Sequence, residues 1–556
     1  MPTKSKRPPK DTTTTQIRTL VHDRFGFEGL RYGQEESIRL ILAGHDVLSV
    51  MPTGSGKSAI YQVAALLIDG PTVVVSPLIA LQKDQVESIR EKDVAEAAVL
   101  NSTLRVGERR ETLAKLEGGE LEFLFLSPEQ IVNEETFARL KASPPSLFVI
   151  DEAHCISEWG HDFRPEYNRL GAVIEALGHP RVLALTATAS PNVRDDITSR
   201  LGMTNARTVV RGFDRPNIWL GVEACPDVET KDRLLVSRLK EMERPAIVYA
   251  ATRGATEELA RLLTESGIKA GAYHGAMKKP DRDAVQDAFM ADEVDVVVAT
   301  NAFGMGVDKP NVRTVIHYDV SESIDAYYQE VGRSGRDGEP ARAVLFYRPE
   351  DVGVRRAMAS GAKLSESDVA KVAEEVAGRT TPVGAKDVAE NLDMKPGKVK
   401  QVLNRLEEVG AVQVLPGGEV LPADKELDPA AAAEEAVHEH QNYRTFRLGR
   451  VQLMKDFAEG KDCRRRYVLN YFGEPFPDPC GHCDNCETGV VQKVEAQKVV
   501  DSDKPFPVKG RVRHRKWGEG VVMGYAADKL QVLFDTEGAK EMVLKVVVEN
   551  GLVENA

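Results

Sequence analysis

The run MPTGSGKS, residues 51–58, carries the clearest chemistry in the chain. Its glycines let backbone amides approach an anion closely, and its lysine and serine offer a point charge and a cation ligand. It follows the strand-like DVLSV and precedes the helix-like AIYQVAALLI, which is the strand–loop–helix setting of a phosphate loop. There Thr53, Gly54, Ser55 and Gly56 would wrap the phosphates of ATP, Lys57 would reach the β- and γ-phosphates, and Ser58 would ligate Mg²⁺. The strict pattern fails at its first position, where Met51 stands in place of glycine. A second run, LFVIDEAH, ends an apolar strand in two carboxylates. Asp151 is expected in the Mg²⁺ shell and Glu152 as the group that activates water; a merely solvated strand end is the alternative. A third, YYQEVGRSGRDG (327–338), sets Arg333 and Arg336 on one face of a helix or turn. Entering a cleft as arginine fingers, such residues are worth about 10³–10⁵ in rate in other nucleotide hydrolases.

Four of the six cysteines fall at Cys463, Cys480, Cys483 and Cys486. The C-x-x-C-x-x-C run and its upstream partner predict tetrahedral structural Zn²⁺, with an iron–sulfur cluster as the rival. His482 lies inside the knuckle as a substitute ligand, although four thiolates already close a shell. The isolated Cys155 and Cys225 read as free thiols, so the pattern is not a disulfide framework. The basic run at 464–466 could contact phosphates or simply form a solvated face.

These residues need elements to hold them. DVLSV, TVVVSP, FLFLSP, LFVIDE and VLALTAT form one series of buried-strand runs; AIVYAAT, AGAYHG, VDVVVAT, TVIHYD and RAVLFY form a second. Each run ends in a polar or turn residue, so both series predict α/β units with parallel sheets and functional loops at the strands' carboxyl ends. The boundaries are drawn at 1–16 for a disordered tail, 17–207 for the first unit and 208–350 for the second, with a cleft between the units. Residues 364–422 carry a helical stripe (Val399, Val402, Leu403, Leu406 and Val409) and a two-strand wing around Pro-Gly-Gly, which suggests a winged helix that reads DNA or spaces domains. Residues 429–488 are expected to form a helical hairpin leading into the cysteine module. A linker over 489–506 and a small five-stranded β-barrel over 507–553 complete the chain.

In this order MPTGSGKS, DEAH, TATA, TNAFGMGVDKPNVR and QEVGRSGRDG resemble a superfamily 2 helicase core of two RecA-like domains, whose phosphate loop tolerates the Met51 departure. FEGLRYGQEESI and DEAHCISEWGHDFRPEY narrow the resemblance to the RecQ family of DNA helicases. It runs from about Phe25 to Tyr347 and resumes at CRRRYVLNYFGEP and CGHCDNC. The resemblance implies ATP-driven 3′ to 5′ movement on single-stranded DNA, unwinding of tailed duplex, and roles in DNA repair and recombination. It favours zinc in the cysteine module. It assigns Arg31 and Gln34 to the adenine edge, Thr186 and Thr188 to coupling of the lobes, and Asp308 to the neighbourhood of nucleotide and DNA. It makes Cys155 to Tyr167 an aromatic-rich loop in which His154, Trp159, His161, Phe163 and Arg164 couple DNA to the nucleotide. Trp159 and Phe163 could stack on bases at about 1–3 kcal/mol each; the alternative is that the rings cover an apolar surface.

Two features depart from that pattern. About a hundred residues separate Tyr347 from Cys463, and nothing after Cys486 resembles the family's usual winged helix, so strand-separating geometry cannot be carried over. Instead, Gly510 to Leu544 resembles the Tudor-like domain of UvrD-type helicases, which docks on RNA polymerase. On that resemblance the linker tethers a partner-binding module. Lys509, Arg511, Arg513, Arg515 and Lys516 make phosphate binding a rival role.

Composition sets outer limits. The 556 residues are 42% hydrophobic with a formal net charge of −13, which excludes a chain that coats nucleic acid by charge alone. The polar, Pro-broken N-terminus has no apolar core of a signal peptide and reads as a tail or a basic arm. No run approaches the length of a membrane span. The expected setting is soluble and cytoplasmic, associated with a bacterial nucleoid. A translocase that remodels protein–DNA complexes and an RNA helicase are the competing readings.

Overall fold

The computed structural model describes residues 14–555 apart from 53, 78, 102–103, 132, 158–164, 304–307, 362–363, 416–418, 424–427, 492–504, 508–509 and 527. Thr53, Trp159, His161, Phe163, Arg164, Lys509 and the Pro-Gly-Gly turn of the wing lie outside the described residues.

The first unit is a parallel sheet of β1 (Val47–Val50), β2 (Thr72–Val75), β3 (Ala97–Leu100), β4 (Phe123–Leu126), β5 (Leu147–Ile150), β6 (Arg181–Thr186) and β7 (Arg207–Val210). Val, Leu, Ile and Phe fill its inner strands because helices cover both faces and leave no side to water. The spatial order is β3-β4-β2-β5-β6-β1-β7. This order sets the carboxyl ends of β5, β6 and β1 side by side, with Ile150 paired to Ala184 and Val50 to Thr186. Three segments far apart in sequence therefore emerge at one edge, where open α/β sheets bind ligands.

The second unit is a parallel sheet of β8 (Ile218–Ala224), β9 (Ala246–Tyr249), β10 (Ala270–Tyr273), β11 (Val296–Ala299), β12 (Thr314–His317) and β13 (Ala341–Tyr347), ordered β10-β11-β9-β12-β13-β8. Between β12 and β13 the helix Ile324–Val331, capped by the Ser323 hydroxyl, leads into the arginine-bearing turn.

Three helices, Glu366–Ala377, Ala385–Asn391 and Pro396–Glu408, then pack on a small antiparallel sheet of β14 (Val383–Gly384), β15 (Val412–Val414) and β16 (Glu419–Pro422), in the order β14-β16-β15. Val369, Val372, Val399, Val402, Leu403 and Leu406 form its core. Arg169 of the first unit pairs with Glu407 at 3.3 Å, so this winged-helix arrangement docks beside the segment that follows residues 158–164.

The expected helical hairpin is corrected. Pro429–Glu459 is one unbroken helix, started by the Asp428 side chain accepting from the Ala430 and Ala431 amides. Its sequence contains no proline beyond Pro429 and no turn pair that could reverse it. Its single internal glycine serves a different purpose. A Cβ on Gly449 would lie 2.6 Å from the Ala539 amide nitrogen, and one on Gly538 would lie 2.8 Å from the Thr445 carbonyl oxygen.

That contact seats the C-terminal module, an antiparallel sheet of β17 (Arg511–His514), β18 (Gly518–Ala526), β19 (Lys529–Phe534), β20 (Gly538–Val543) and β21 (Val553–Asn555), ordered β20-β19-β18-β17-β21. Val512, Val522, Leu530, Val532, Phe534 and Val553 form its own core. Val521, Met523 and Leu533 instead join the core that contains Phe446, Val451 and Leu453 of the long helix. Through these residues the sheet is packed onto the body of the protein. No helix among the described residues is long and apolar enough to cross a membrane.

Candidate nucleotide cleft and metal centre

The phosphate loop turns through Gly54 (φ 78°) and Gly56 (φ 74°), left-handed positions that suit glycine. Lys57 stands at the start of the helix Ser58–Ala65 and donates to the carbonyls of Met51 at 3.2 Å and Pro52 at 3.4 Å. Its ammonium is held below its ordinary range by burial, which Glu152 and Asp151 oppose. From the next strand but one, burial and the neighbouring Glu152 push the Asp151 carboxyl up to about 7, against the pull of Lys57. Asp151 accepts from the Ser76 hydroxyl at 3.3 Å and from the Glu152 amide at 3.0 Å. Glu152 adopts a left-handed backbone (φ 49°), uncommon for a residue with a Cβ.

The third segment closes this group. His154, fully buried, hydrogen-bonds the Thr186 hydroxyl through Nδ1 at 2.9 Å, with Glu152 Oε2 3.3 Å from the same nitrogen. Thr186 Oγ1 donates to the Thr188 carbonyl at 3.1 Å. Sequence reading placed Tyr167 among rings that pack or hold a flat ligand; the structure decides for packing. Its ring is fully buried and its hydroxyl donates to the Asp151 carbonyl at 3.1 Å.

Gln34 donates to the carbonyls of Ser55 and Gly56, both at 2.9 Å, and Arg31 donates to the carbonyl of Gly54. Both side chains thus brace the phosphate loop from outside. Beside them stands Tyr32, 80% exposed, with the Arg211 guanidinium 5.4 Å from its ring centre. In the sequence Tyr32 shows only as an aromatic between Arg31 and Gly33, a pattern that does not by itself mark exposure.

The arginines arrive from the second unit. Arg333 is buried, and Arg336 donates to Asp308 Oδ1 at 2.5 Å. The Arg336 side chain also reaches the first unit: a Cβ on Gly54 would sit 3.5 Å from its Cγ. Phosphate loop, paired carboxylates and arginine turn therefore face one cleft.

The four cysteine sulfurs lie within 4.8 Å of one another. Zn–S bonds of about 2.3 Å in a tetrahedron imply sulfurs about 3.8 Å apart, which this cluster fits. The Cys480 amide donates to Cys463 Sγ at 3.3 Å and the His482 amide to Cys480 Sγ at 3.3 Å, so backbone dipoles favour thiolates. His482 itself turns toward Glu487 at 3.8 Å with half its side chain exposed, outside the cluster.

Comparison with known proteins agrees with this arrangement. The chain matches the DEAD/DEAH box helicase family over residues 31–196, the helicase conserved C-terminal domain over 229–338 and the RecQ zinc-binding family over 429–487. It is 34% identical to the probable ATP-dependent DNA helicase RecS of Bacillus subtilis, over 88% of this chain and 96% of that protein. The chain belongs to the RecQ family of ATP-dependent DNA helicases. It is also 36% identical to the RecQ helicase of Pasteurella multocida, covering 87% of this chain and 64% of that longer RecQ protein. Among solved structures, the DNA-bound DUF1998 helicase MrfA shares the fold, with a TM-score of 0.53 over 76% of this chain and 64% of that one at 17% identity. As a RecQ-type helicase the protein uses ATP, acts on DNA and carries a four-cysteine zinc-binding module.

Proposed function

We propose that this RecQ-family helicase couples ATP hydrolysis to 3′ to 5′ translocation on single-stranded DNA, opening tailed duplexes during repair and recombination. The observation that carries the reading is Arg336 of one lobe resting on Gly54 of the other. Hydrolysis chemistry and lobe closure then share one set of atoms. Lys57 would hold the phosphates and Ser58 the Mg²⁺ ion, with Thr53, Gly54, Ser55 and Gly56 assigned to the amide cradle. Asp151 would be a further ligand of Mg²⁺ when the ion is bound, and Glu152 takes the proton of the attacking water. Arg333 and Arg336 neutralise charge developing on the γ-phosphate. Arg31, Gln34 and the exposed Tyr32 receive the base. Thr186, Thr188 and Asp308 report the nucleotide state between lobes.

DNA coupling runs through His154 and the loop bearing Trp159, His161, Phe163 and Arg164. Support for it comes from the buried Tyr167 anchor at one end and the His154–Glu152 contact at the other. Strand separation should require ATP, fail with a nonhydrolysable analogue and proceed on a 3′-tailed but not a 5′-tailed duplex. Intact DNA-stimulated ATPase without any unwinding would favour a remodelling translocase instead.

The C-terminal sheet is read as a protein-docking module, with RNA polymerase as its partner and a nucleoid setting in a bacterial cytoplasm. Two features support this over phosphate binding. Arg511 and Arg513 are paired with Glu519 and Asp535, and Val543, Val546 and Val548 stand exposed. Changing these three valines to lysine should abolish co-purification with polymerase while ATPase persists. Unchanged co-purification would reject the partner.

A further inference from the structure

The turn from Gly332 to Gly338 contains three glycines and must keep two arginines aimed into the cleft; the Ser334 amide and hydroxyl donate to the Val331 carbonyl, and the Gly335 amide reaches the Val312 carbonyl. Arg215, in the connection between the two units, adds support from outside the turn. Its guanidinium donates to the carbonyls of Ser334 at 3.0 Å, Gly335 at 2.8 Å and Gly332 at 3.4 Å. Asn217 adds a bond to the Gly335 carbonyl at 2.8 Å. These contacts fix the backbone on both sides of Arg333 and immediately before Arg336.

Arg215 is in turn held by the zinc module. Arg465, in the helix Arg464–Tyr471 that begins at Cys463, donates to the carbonyls of Arg215 at 3.3 Å, Pro216 at 3.2 Å and Ile218 at 3.0 Å. It also pairs with Asp214 at 3.3 Å and is almost wholly buried. A planar guanidinium can serve several carbonyls at once, whereas a lysine ammonium cannot reproduce that fork. Both guanidiniums are engaged with main-chain carbonyls.

We propose that Arg215 and Arg465 are positioning residues for ATP hydrolysis: Arg215 sets the backbone of the arginine turn, and Arg465 carries that setting from the zinc module. The zinc module thereby fixes the geometry of a turnover step performed in the cleft. The inference rests on Arg333 and Arg336 acting on the γ-phosphate, and its test separates the two ideas.

Steady-state ATPase is measured with saturating single-stranded DNA for Arg465→Ala, Arg465→Lys, Arg215→Lys, Arg336→Ala and the double variant Arg465→Ala/Arg336→Ala. Displacing a catalytic group by about 1 Å can cost on the order of 10²-fold in rate, so kcat should fall by about ten- to a hundredfold in the arginine-to-lysine variants while KM for ATP stays nearly constant. Zinc content and single-strand affinity should remain at wild-type levels. Because Arg465 acts through the turn, its substitution should cost less once Arg336 is gone than it does in the wild-type background, the remainder acting through Arg333. Multiplicative losses in the double variant, or a changed KM with unchanged kcat, would overturn the proposal. Where Arg465→Ala does not fold, Arg465→Lys decides, and wild-type kcat in that folded protein is equally fatal. Near-wild-type turnover in Arg336→Ala would instead remove the arginine-finger reading on which the proposal stands.

Discussion

The Tyr167 hydroxyl donates to the main-chain carbonyl of Asp151, linking the far side of the 158–164 segment to a carboxylate of the nucleotide cleft. The bond spans sixteen positions of sequence and 3.1 Å of space. Tyr167→Phe keeps the buried ring and removes this bond, at about 0.5–1.5 kcal/mol of stability. Basal ATPase should be nearly normal and its stimulation by single-stranded DNA several-fold weaker. Trp159→Ala should show the same split. Full stimulation in both variants would mean that the loop binds DNA without coupling it.

Lys57→Ala removes the charge expected on the β- and γ-phosphates. ATP hydrolysis should fall to background, while single-stranded DNA binding, measured by fluorescence anisotropy, stays within a few-fold of wild type. Substantial turnover in this variant would disprove the assigned cleft.

Asp151 gives a signed pH prediction. Burial and Glu152 hold its folded-state pKa at about 7, above the ordinary 3.8. The folded protein therefore binds this proton more tightly than the unfolded chain, and the associated stability, complete below about pH 4, is lost as pH rises through about 7. Asp151→Asn removes the ionisation. Without nucleotide and Mg²⁺, the variant's Tm should exceed that of wild type by more at pH 8 than at pH 5. Parallel Tm–pH curves would contradict the prediction.

Gly449→Ala tests the seat of the C-terminal sheet. In an exposed helix the change should stabilise by up to about 1 kcal/mol. Here the new methyl meets the Ala539 backbone at 2.6 Å, so overpacking should destabilise by about 1–3 kcal/mol. A lowered Tm with faster proteolysis after residue 505 is expected, and a raised Tm would argue against the contact.

Cys480→Ser leaves three thiolates, which no longer close a tetrahedral site. Elemental analysis should find about one zinc per chain in the wild type and little in the variant, together with reduced solubility. A wild-type protein without zinc would defeat the assignment.

The sequence by itself determined the chemistry that depends on short-range spacing. Gly54, Gly56, Lys57 and Ser58 form a phosphate loop wherever strand and helix flank them, and the close-set Cys480, Cys483 and Cys486 can meet at one ion because little chain separates them. The apolar strand runs likewise announced two parallel sheets, since strands covered on both faces admit few polar residues. Contacts made across long separations were decided only by the tertiary structure. Strand order, not adjacency, brings Asp151 and Thr186 beside Met51. The seating of Arg336 on Gly54 and of Arg465 on the segment carrying Arg215 depends on how separate units dock. The long helix differs from the expected hairpin because helical spacing specifies a buried face but not what covers it. Gly449 looks like a weak point in a one-dimensional pattern. In three dimensions it is the close-packed contact between helix and sheet, because only a residue without a side chain lets the two backbones approach so closely.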